Sequence, residues 1–409
     1  MISHFKKSSL IPIILIVFLD VLGMTIIIPV LAPLFINPST TILAPDVSYA
    51  TRTMLLGFLL GLYPLMQFFG APFLGGLSDK YGRKKILVLS LTGTLIGYIF
   101  FSYGIIWGSL SILFIGRALD GFTAANISVA LSAIADISSK KDKTKNFGLV
   151  GAAYGLGFII GPFLGGVLSD SSLVPWFNYS TPFLFAALLT FIDILLLIWL
   201  FNETLKEKKE SNADLLTGLR HVKKAFTMRS LRTMFIVVFL LMLGFTFFTH
   251  FLPVFLIDKF SYVESDIGYL FGYVGLWLVL TQGLIIRPLS KVWSPEKILS
   301  FGSVGLAASF VILLLPKSSL MLYITLPLVA IMAGLTIPSY NAVVSNLASH
   351  KNQGEILGIN QSMQALAQAA PPIISGFVVV FSPNLPTLIA AGATFLGWFI
   401  FVFFYKKRK

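Results

Sequence analysis

The chain of 409 residues contains no cysteine and little charge. Without cysteine it forms no disulfide, no thiolate metal site and no thiol nucleophile, and nothing marks its redox compartment. Asp, Glu, Lys and Arg together supply 11% of the residues, less than half of the roughly 25% found in globular domains. A Walker phosphate loop, an HExxH helix, a nucleophile elbow and a metal-ligand cluster are all missing, as is any soluble domain that could house an ATPase. These absences set aside an ATP-driven pump and leave an enzyme the weakest reading. What fills the chain is apolar: 56% hydrophobic and 14% aromatic residues, with a mean hydropathy of +0.88.

The apolar residues come in continuous runs rather than short alternations, so they read as transmembrane helices, each needing about 20 residues, and not as strands of a membrane barrel. Twelve spans are predicted, at 10–36, 52–77, 84–105, 109–137, 146–169, 181–201, 231–257, 266–288, 298–316, 319–347, 355–381 and 386–405. The first is too long for a cleaved signal peptide, contains Asp20 and lacks a small-residue cleavage site. Most connections are short. The exception, 202–230, is polar and highly charged, and divides the chain into an N-terminal bundle (1–201) and a C-terminal bundle (231–409) of six spans each. Leu215, Leu219, Val222 and Phe226 within it have helical spacing, which predicts an amphipathic helix on the membrane surface.

Placing Lys6, Lys7 and the N-terminus inside puts all 30 Lys and Arg residues except Arg52, Arg117, Lys259 and Lys317 in or beside cytoplasmic segments. The positive-inside rule therefore predicts two cytoplasmic termini. The formal charge of +13 then matches an anionic inner leaflet and calls for no nucleic acid.

The two halves repeat one another. LSDKYGRKKIL (77–87) aligns without gaps to LSKVWSPEKIL (289–299), each after the second span of its half, and GPFLGG (161–166) in span five matches PPIISG (371–376) in span eleven. The second copies have lost most of the charge and several glycines. Duplicated six-span halves imply a pseudo-twofold axis with a cavity between them, which suits alternating access.

Four motifs, in order along the chain, resemble those of the major facilitator superfamily. G-x-L-S-D-K-Y-G-R-K-K (75–85) resembles its signature loop, R-A-L-D-G (117–121) its span-four motif, and G-x-x-x-G-P-x-x-G-G (157–166) its span-five antiporter motif. LDVLGMTIIIPVLAP (19–33), IADI (134–137) and QGEILG (353–358) resemble the tetracycline/proton antiporter branch. The resemblance covers the whole chain. It implies an all-α membrane protein of twelve helices in two pseudo-symmetric bundles. It also implies a conformational switch in the loop carrying Gly75, Asp79, Lys80, Gly82, Arg83 and Lys84. There Asp79, an acid in a basic loop, would pair with a cation or with the positive end of span eleven. Gly76 and Gly82 would permit the tight turn; the alternative is that the loop only signals topology. Gly157, Gly161 and Gly165 lie on one helix face, a small-residue stripe for close helix packing, with Pro162 as a kink and Gly166 beside it. The resemblance adds that this packing seals a leak path.

Ionisable groups at membrane depth are costly and usually functional. Asp20 lies near the middle of span one, with Gly23 one turn on leaving its face partly bare, and such a carboxyl is suited to carrying a proton. Arg117 always keeps its proton and can serve as a fixed counter-charge. Asp120 shares its face and departs from the small uncharged residue usual in the family. It is read as a second titrating group, as a ligand for a cationic substrate, or as a static partner that neutralises Arg117. For Asp193, where the family often carries a polar amide, a structural reading outweighs a functional one. Asp136 and His250 lie nearer span ends, and His250 is read as a partly buried, non-titrating group. Substrate-cavity candidates are the polar stripe of span eleven (Asn360, Gln361, Gln364, Gln368), Asn126, Tyr154, and the aromatics Phe248, Tyr273 and Trp277, with Phe245 and Tyr269 beside them.

The reading that follows is a secondary transporter without a cofactor, driven by a proton gradient. It would export a small amphipathic compound across a bacterial inner membrane, and a monomer suffices. An importer or facilitator of a metabolite or metal chelate is the alternative. A non-transporting scaffold would not need to bear the cost of the buried charges.

Overall fold

A computed structural model of the chain describes residues 2–124, 126–138, 143–205, 214–228, 231–347 and 353–405. Among them the regular structure is entirely helical. In chain order the helices are α1 (Ile2–Ile26), α2 (Ile28–Ile36), α3 (Tyr49–Tyr81), α4 (Arg83–Ile106), α5 (Leu110–Thr123), α6 (Asn126–Ile137), α7 (Lys143–Ser169), α8 (Thr181–Leu200), α9 (Thr217–Thr227), α10 (Arg232–Phe260), α11 (Glu264–Leu280), α12 (Ile286–Val292), α13 (Pro295–Ile312), α14 (Ser319–Leu347), α15 (Gln353–Val378) and α16 (Leu385–Phe404). Among the described residues, eleven of the expected spans are long and apolar enough to cross a membrane. The other, α15, has the length, at 26 residues, but its glutamines lower its hydropathy.

Among the described residues three spans are interrupted. Span one breaks at Ile27, because Pro29 cannot donate a backbone hydrogen bond; it resumes as α2 with Pro29 in its first turn. Span four breaks between α5 and α6. Neighbouring side chains occupy the freed carbonyls: Ser90 Oγ donates to Thr123 O, and Gln67 Nε2 to Ala124 O at 3.2 Å. Irregular backbone at membrane depth survives only where protein groups satisfy it in this way. Span eight carries one π-helical turn, Thr281–Ile285, between α11 and α12.

The chain divides into two compact units. The first comprises Met1–Pro45, Leu65–Thr217 and Glu264–Tyr269. In it α1 packs along α7 and α8, and α4 along α5 and α8. Its core includes Ile13, Val17, Leu87, Leu91, Ala130 and Leu197. The second comprises Asp46–Pro64, Gly218–Val263 and Leu270–Lys409, with α10 against α15 and α16, and α13 against α14 and α16. Its core includes Met234, Val238, Tyr340, Val343 and Ile359. Thus α3 and α11 each give their first turns to one unit and the rest to the other.

Two sequence expectations change. Residues 75–81 belong to α3, so Gly75 and Gly76 are helical rather than part of a turn. Gly82 alone reverses the chain, at φ 107°, a conformation that glycine adopts without strain. Pro64 and Pro72 lie within α3 without ending it, and the helix runs on through the motif to Tyr81. The amphipathic helix forms as α9, but Leu215 precedes it in a turn held by Asp214, whose Oδ1 accepts from Leu216 N at 3.2 Å. Leu219 and Phe226 of α9 are exposed while Gly218 and Ala225 are buried, as expected of a helix with an apolar face free for lipid.

Candidate functional site

In the first unit, Arg117 and Asp120 lie one turn apart on α5, 3% and 4% exposed. Arg117 Nη1 stands 3.5 Å from Asp120 Oδ2, well beyond the roughly 2.7–2.9 Å of a firm charge-assisted bond. Thr94 of α4 lies beside the Asp120 carboxyl, its Oγ1 3.4 Å from Thr123 Oγ1. Gly97 lets α4 come this close, since a Cβ there would stand 2.9 Å from Asp120 Cβ. Asp20 on α1 is partly buried and acts electrostatically on both Asp120 and Asp193. One expectation is corrected here: the face around Gly23 is not bare, because the Tyr98 hydroxyl of α4 fills the space that a Gly23 side chain would need.

The corner between α3 and α4 is an ion-pair network. Arg83, 6% exposed, reaches Asp79 Oδ1 through Nη2 at 2.7 Å, Asp136 Oδ2 through Nε at 3.1 Å and Ser78 Oγ through Nη1 at 2.5 Å. Asp79 therefore has a partner within its own corner. Glu203, just after α8, caps α4: its oxygens accept from the N–H groups of Arg83 at 3.0 Å and Lys84 at 3.1 Å. Lys84 Nζ donates to Ile198 O at 2.8 Å. Lys80 lies 5.4 Å from the Tyr81 ring centroid.

The glycine stripe of α7 packs on α1. A Cβ at Gly157 would meet Phe18 O at 2.8 Å, one at Gly161 Leu22 O at 2.6 Å, and one at Gly165 would overlap Ile26 O. Thr25 Oγ1 hydrogen-bonds Gly157 O across this seam at 3.2 Å. Gly166 and the carbonyl of Pro162 instead receive Gly268 at the start of α11.

In the second unit, polar groups of α14 and α15 meet. Asn360 Nδ2 donates to Asn341 Oδ1 at 3.0 Å, Gln364 Nε2 reaches the same oxygen at 3.5 Å, and Tyr340 Oη donates to Gln364 Oε1 at 3.3 Å. Gln368 Nε2 donates to Gln364 O at 3.3 Å. Asn360 is 3% exposed, and among the described residues its Oδ1 has no hydrogen-bond donor. Gln361 is exposed and stands apart from this group. Tyr273 Oη donates to Tyr323 O at 3.0 Å, with Trp277 at 6.4 Å between ring centroids. Phe248 is buried against Phe310 at 5.0 Å, a core position rather than a cavity wall. Tyr154, in the first unit, is 41% exposed. Asn126 opens α6, but its side chain lies outside the described residues. His250 is partly buried, its Nδ1 3.3 Å from Thr249 Oγ1.

The sequence profile of the Major Facilitator Superfamily matches residues 13–369 and 234–409. The chain belongs to that superfamily. Among curated proteins, the facilitator is 33% identical to the class G tetracycline resistance protein of Vibrio anguillarum, over 96% of this chain and 93% of the relative. It is 28% identical to the class B tetracycline resistance protein of Escherichia coli, over 91% and 88%. Among solved structures it resembles the human organic anion transporter MFSD10 (TETRAN), with a TM-score of 0.75, 23% identity and coverage of 97% and 99%. It also resembles a D-xylose–proton symporter, with a TM-score of 0.77, 14% identity and 98% coverage of both chains. The facilitator is thus an integral membrane protein of a transporter family, not an enzyme.

Several residues of these sites escaped the sequence reading. Glu203 carried a usable signal, because it is an acid at the end of a span facing a basic loop, as Asp79 is. Asn341, Thr94, Tyr98 and Thr25 carried none, because a single polar residue in a span is informative only once its partner helix is known.

Proposed function

We propose that this protein exports a small amphipathic compound in exchange for protons, by alternating access. The observation that carries the reading is the loose Arg117–Asp120 pair, buried at membrane depth beside Asp20. A fixed cation with two acids in reach allows a proton to be traded for a charge contact. Protonating Asp120 cancels the charge that draws it to Arg117, and losing the proton restores the attraction. Asp20, less buried, is the group that exchanges protons with water. The names of the relatives support export and make tetracycline the first compound to test. The Asn341–Asn360–Gln364 cluster, with its spare acceptor on Asn360, offers hydrogen bonds to a polar edge of the substrate. Tyr273 and Trp277 are further cavity candidates. Around these sites, the α3–α4 corner acts as the switch and the α7 stripe as the seal. The energy source is the proton gradient, no cofactor takes part, and the partners are substrate, protons and lipid. The setting is a bacterial inner membrane with both termini in the cytoplasm, and a monomer suffices.

The test is proton flux in proteoliposomes under an imposed pH gradient, read with a lumenal dye. Tetracycline should collapse the gradient with the wild type and leave it intact with Asp20→Asn. Substrate flux without proton movement, or a mutant as active as the wild type, would overturn the coupling assignment.

A further inference from the structure

Asp193 plays no part in that mechanism, yet its surroundings tolerate a charge poorly. It sits on α8, 1% exposed, and among the described residues neither carboxyl oxygen has a hydrogen-bond partner. Its helix neighbours Ile194 and Leu197 belong to the apolar core, with Ile13, Ile16 and Val17 of α1 and Leu87 and Leu91 of α4. A carboxylate that is buried, unpaired and without a hydrogen-bond donor is among the most costly groups a protein can hold, and such a group takes up a proton instead. An apolar residue would fill this place at no such cost, so packing alone gives no reason for an acid.

The titratable groups on the helices packed against α8 are few. Among side chains described, α1 brings Asp20, α4 brings Arg83, Lys84, Lys85, Tyr98 and Tyr103, and α7 brings Tyr154. Lys84 is engaged near the end of α8, at Ile198 O, and Arg83 by Asp79 and Asp136. Asp20 is the charged group that acts on Asp193, and it acts on Asp120 as well. Three acids therefore share one electrostatic neighbourhood with one arginine. Were all three ionised, the site would carry an excess of negative charge inside hydrocarbon.

We propose that Asp193 is a second proton-carrying carboxyl, neutral in the resting protein, which exchanges its proton with Asp20 between α8 and α1. In that exchange the Asp193 O–H bond breaks, the Asp20 carboxylate takes the proton, and the negative charge passes to Asp193. The proposal rests on the proton-coupled reading and deepens it by adding a proton store behind the water-accessible acid.

The experiment is an infrared titration of the purified protein in detergent, following the C=O band of protonated carboxyls across neutral pH. This readout needs neither substrate nor transport, so it stands apart from the flux assay. Asp193→Asn should lose one carboxyl band that the wild type keeps at neutral pH, and Asp193→Glu should keep it at a shifted frequency. In Asp20→Asn, the midpoint at which the Asp193 band disappears should move to lower pH, because a negative neighbour is gone. If the Asn variant does not fold, the shift in the Glu variant decides. A spectrum indifferent to both substitutions at Asp193 would overturn the proposal. A carboxyl band assigned to Asp193 in a protein that moves no protons would retain the store and sink the antiport reading.

Discussion

The repeated corners after the second and eighth spans solve the same problem in different ways. Each must start a helix, α4 or α13, whose first N–H groups have no intrahelical partner. In the second copy Ser294 does this locally. Its side chain accepts from Lys297 N at 3.4 Å, Pro295 opens the helix, and Lys297 lies 4.5 Å from the centroid of the Trp293 ring. In the first copy the cap position is Gly82, which has no side chain, and the acceptor is Glu203, about 120 residues away. Arg83, in the place of Pro295, adds Asp79 and Asp136 to the same knot. A local cap is indifferent to the rest of the fold. A cap supplied by the end of α8 ties the start of α4 to the position of another helix. The charge kept in the first copy is what makes this tie.

The comparison is broken most severely by Arg83→Ala. The substitution leaves Asp79 and Asp136 without their cation, and it should destabilise the first unit by about 3 kcal/mol, the low end for breaking a buried pair, because both acids keep some contact with water. Thermal unfolding in detergent measures this, and substrate flux should fall with it. Lys297→Ala in the second copy should leave both nearly unchanged. Equal losses in the two would show that the corners are equivalent after all.

Removing the caps sharpens the same contrast. Glu203→Ala exposes two unsatisfied N–H groups, and about 1–2 kcal/mol should be lost. Ser294→Ala removes one long hydrogen bond and should cost about 0.5 kcal/mol. Hydrogen exchange separates them further. The Glu203 variant should loosen both α4 and the end of α8, the Ser294 variant only the first turn of α13.

How far the sequence disclosed these features depends on the distance between partners. Span positions, the linker helix and the duplicated loops follow from hydropathy and local pattern, which a single segment displays. The Gly157–Gly161–Gly165 face was legible because helical spacing alone sets it, whereas its partner α1 and the Thr25 bond across the seam were not. Arg117 and Asp120 were visible as an i, i+3 pair, but their 3.5 Å separation and the close approach of Gly97 of α4 were not. The helical state of Gly75 and Gly76 was misread because glycine permits a turn without requiring one. Phe248 was misplaced because an aromatic has the same composition signal in a core as in a cavity.

The stripes that receive a second helix differ as the corners do, and the smallest predicted effect tests that difference. In the second unit Gly376 is tied to α3 by a neutral contact, Thr53 Oγ1 to Gly376 O at 2.9 Å, with Phe58 against Phe377. In the first, the start of α11 beside Gly166 is held by titratable groups: Tyr179 Oη lies 3.5 Å from Glu264 Oε2, and Ser265 hydrogen-bonds Asp170. Partial burial of Asp170 opposes its charge, but hydrogen bonds from Ser265 and Ser172, the latter at 2.8 Å from its N–H, outweigh it and hold the carboxyl below the usual range. A depressed carboxyl gives its stabilisation above its unfolded value and loses it as pH falls through the folded one. Hydrogen exchange at 264–269, corrected for its intrinsic pH dependence, should therefore rise as the pH is lowered through the carboxylate range, while exchange at 53–57 stays level. Asp170→Asn should abolish that rise at 264–269. A rise of the same size at both stripes would mean that acid loosens the whole bundle and that Asp170 has no particular hold on α11.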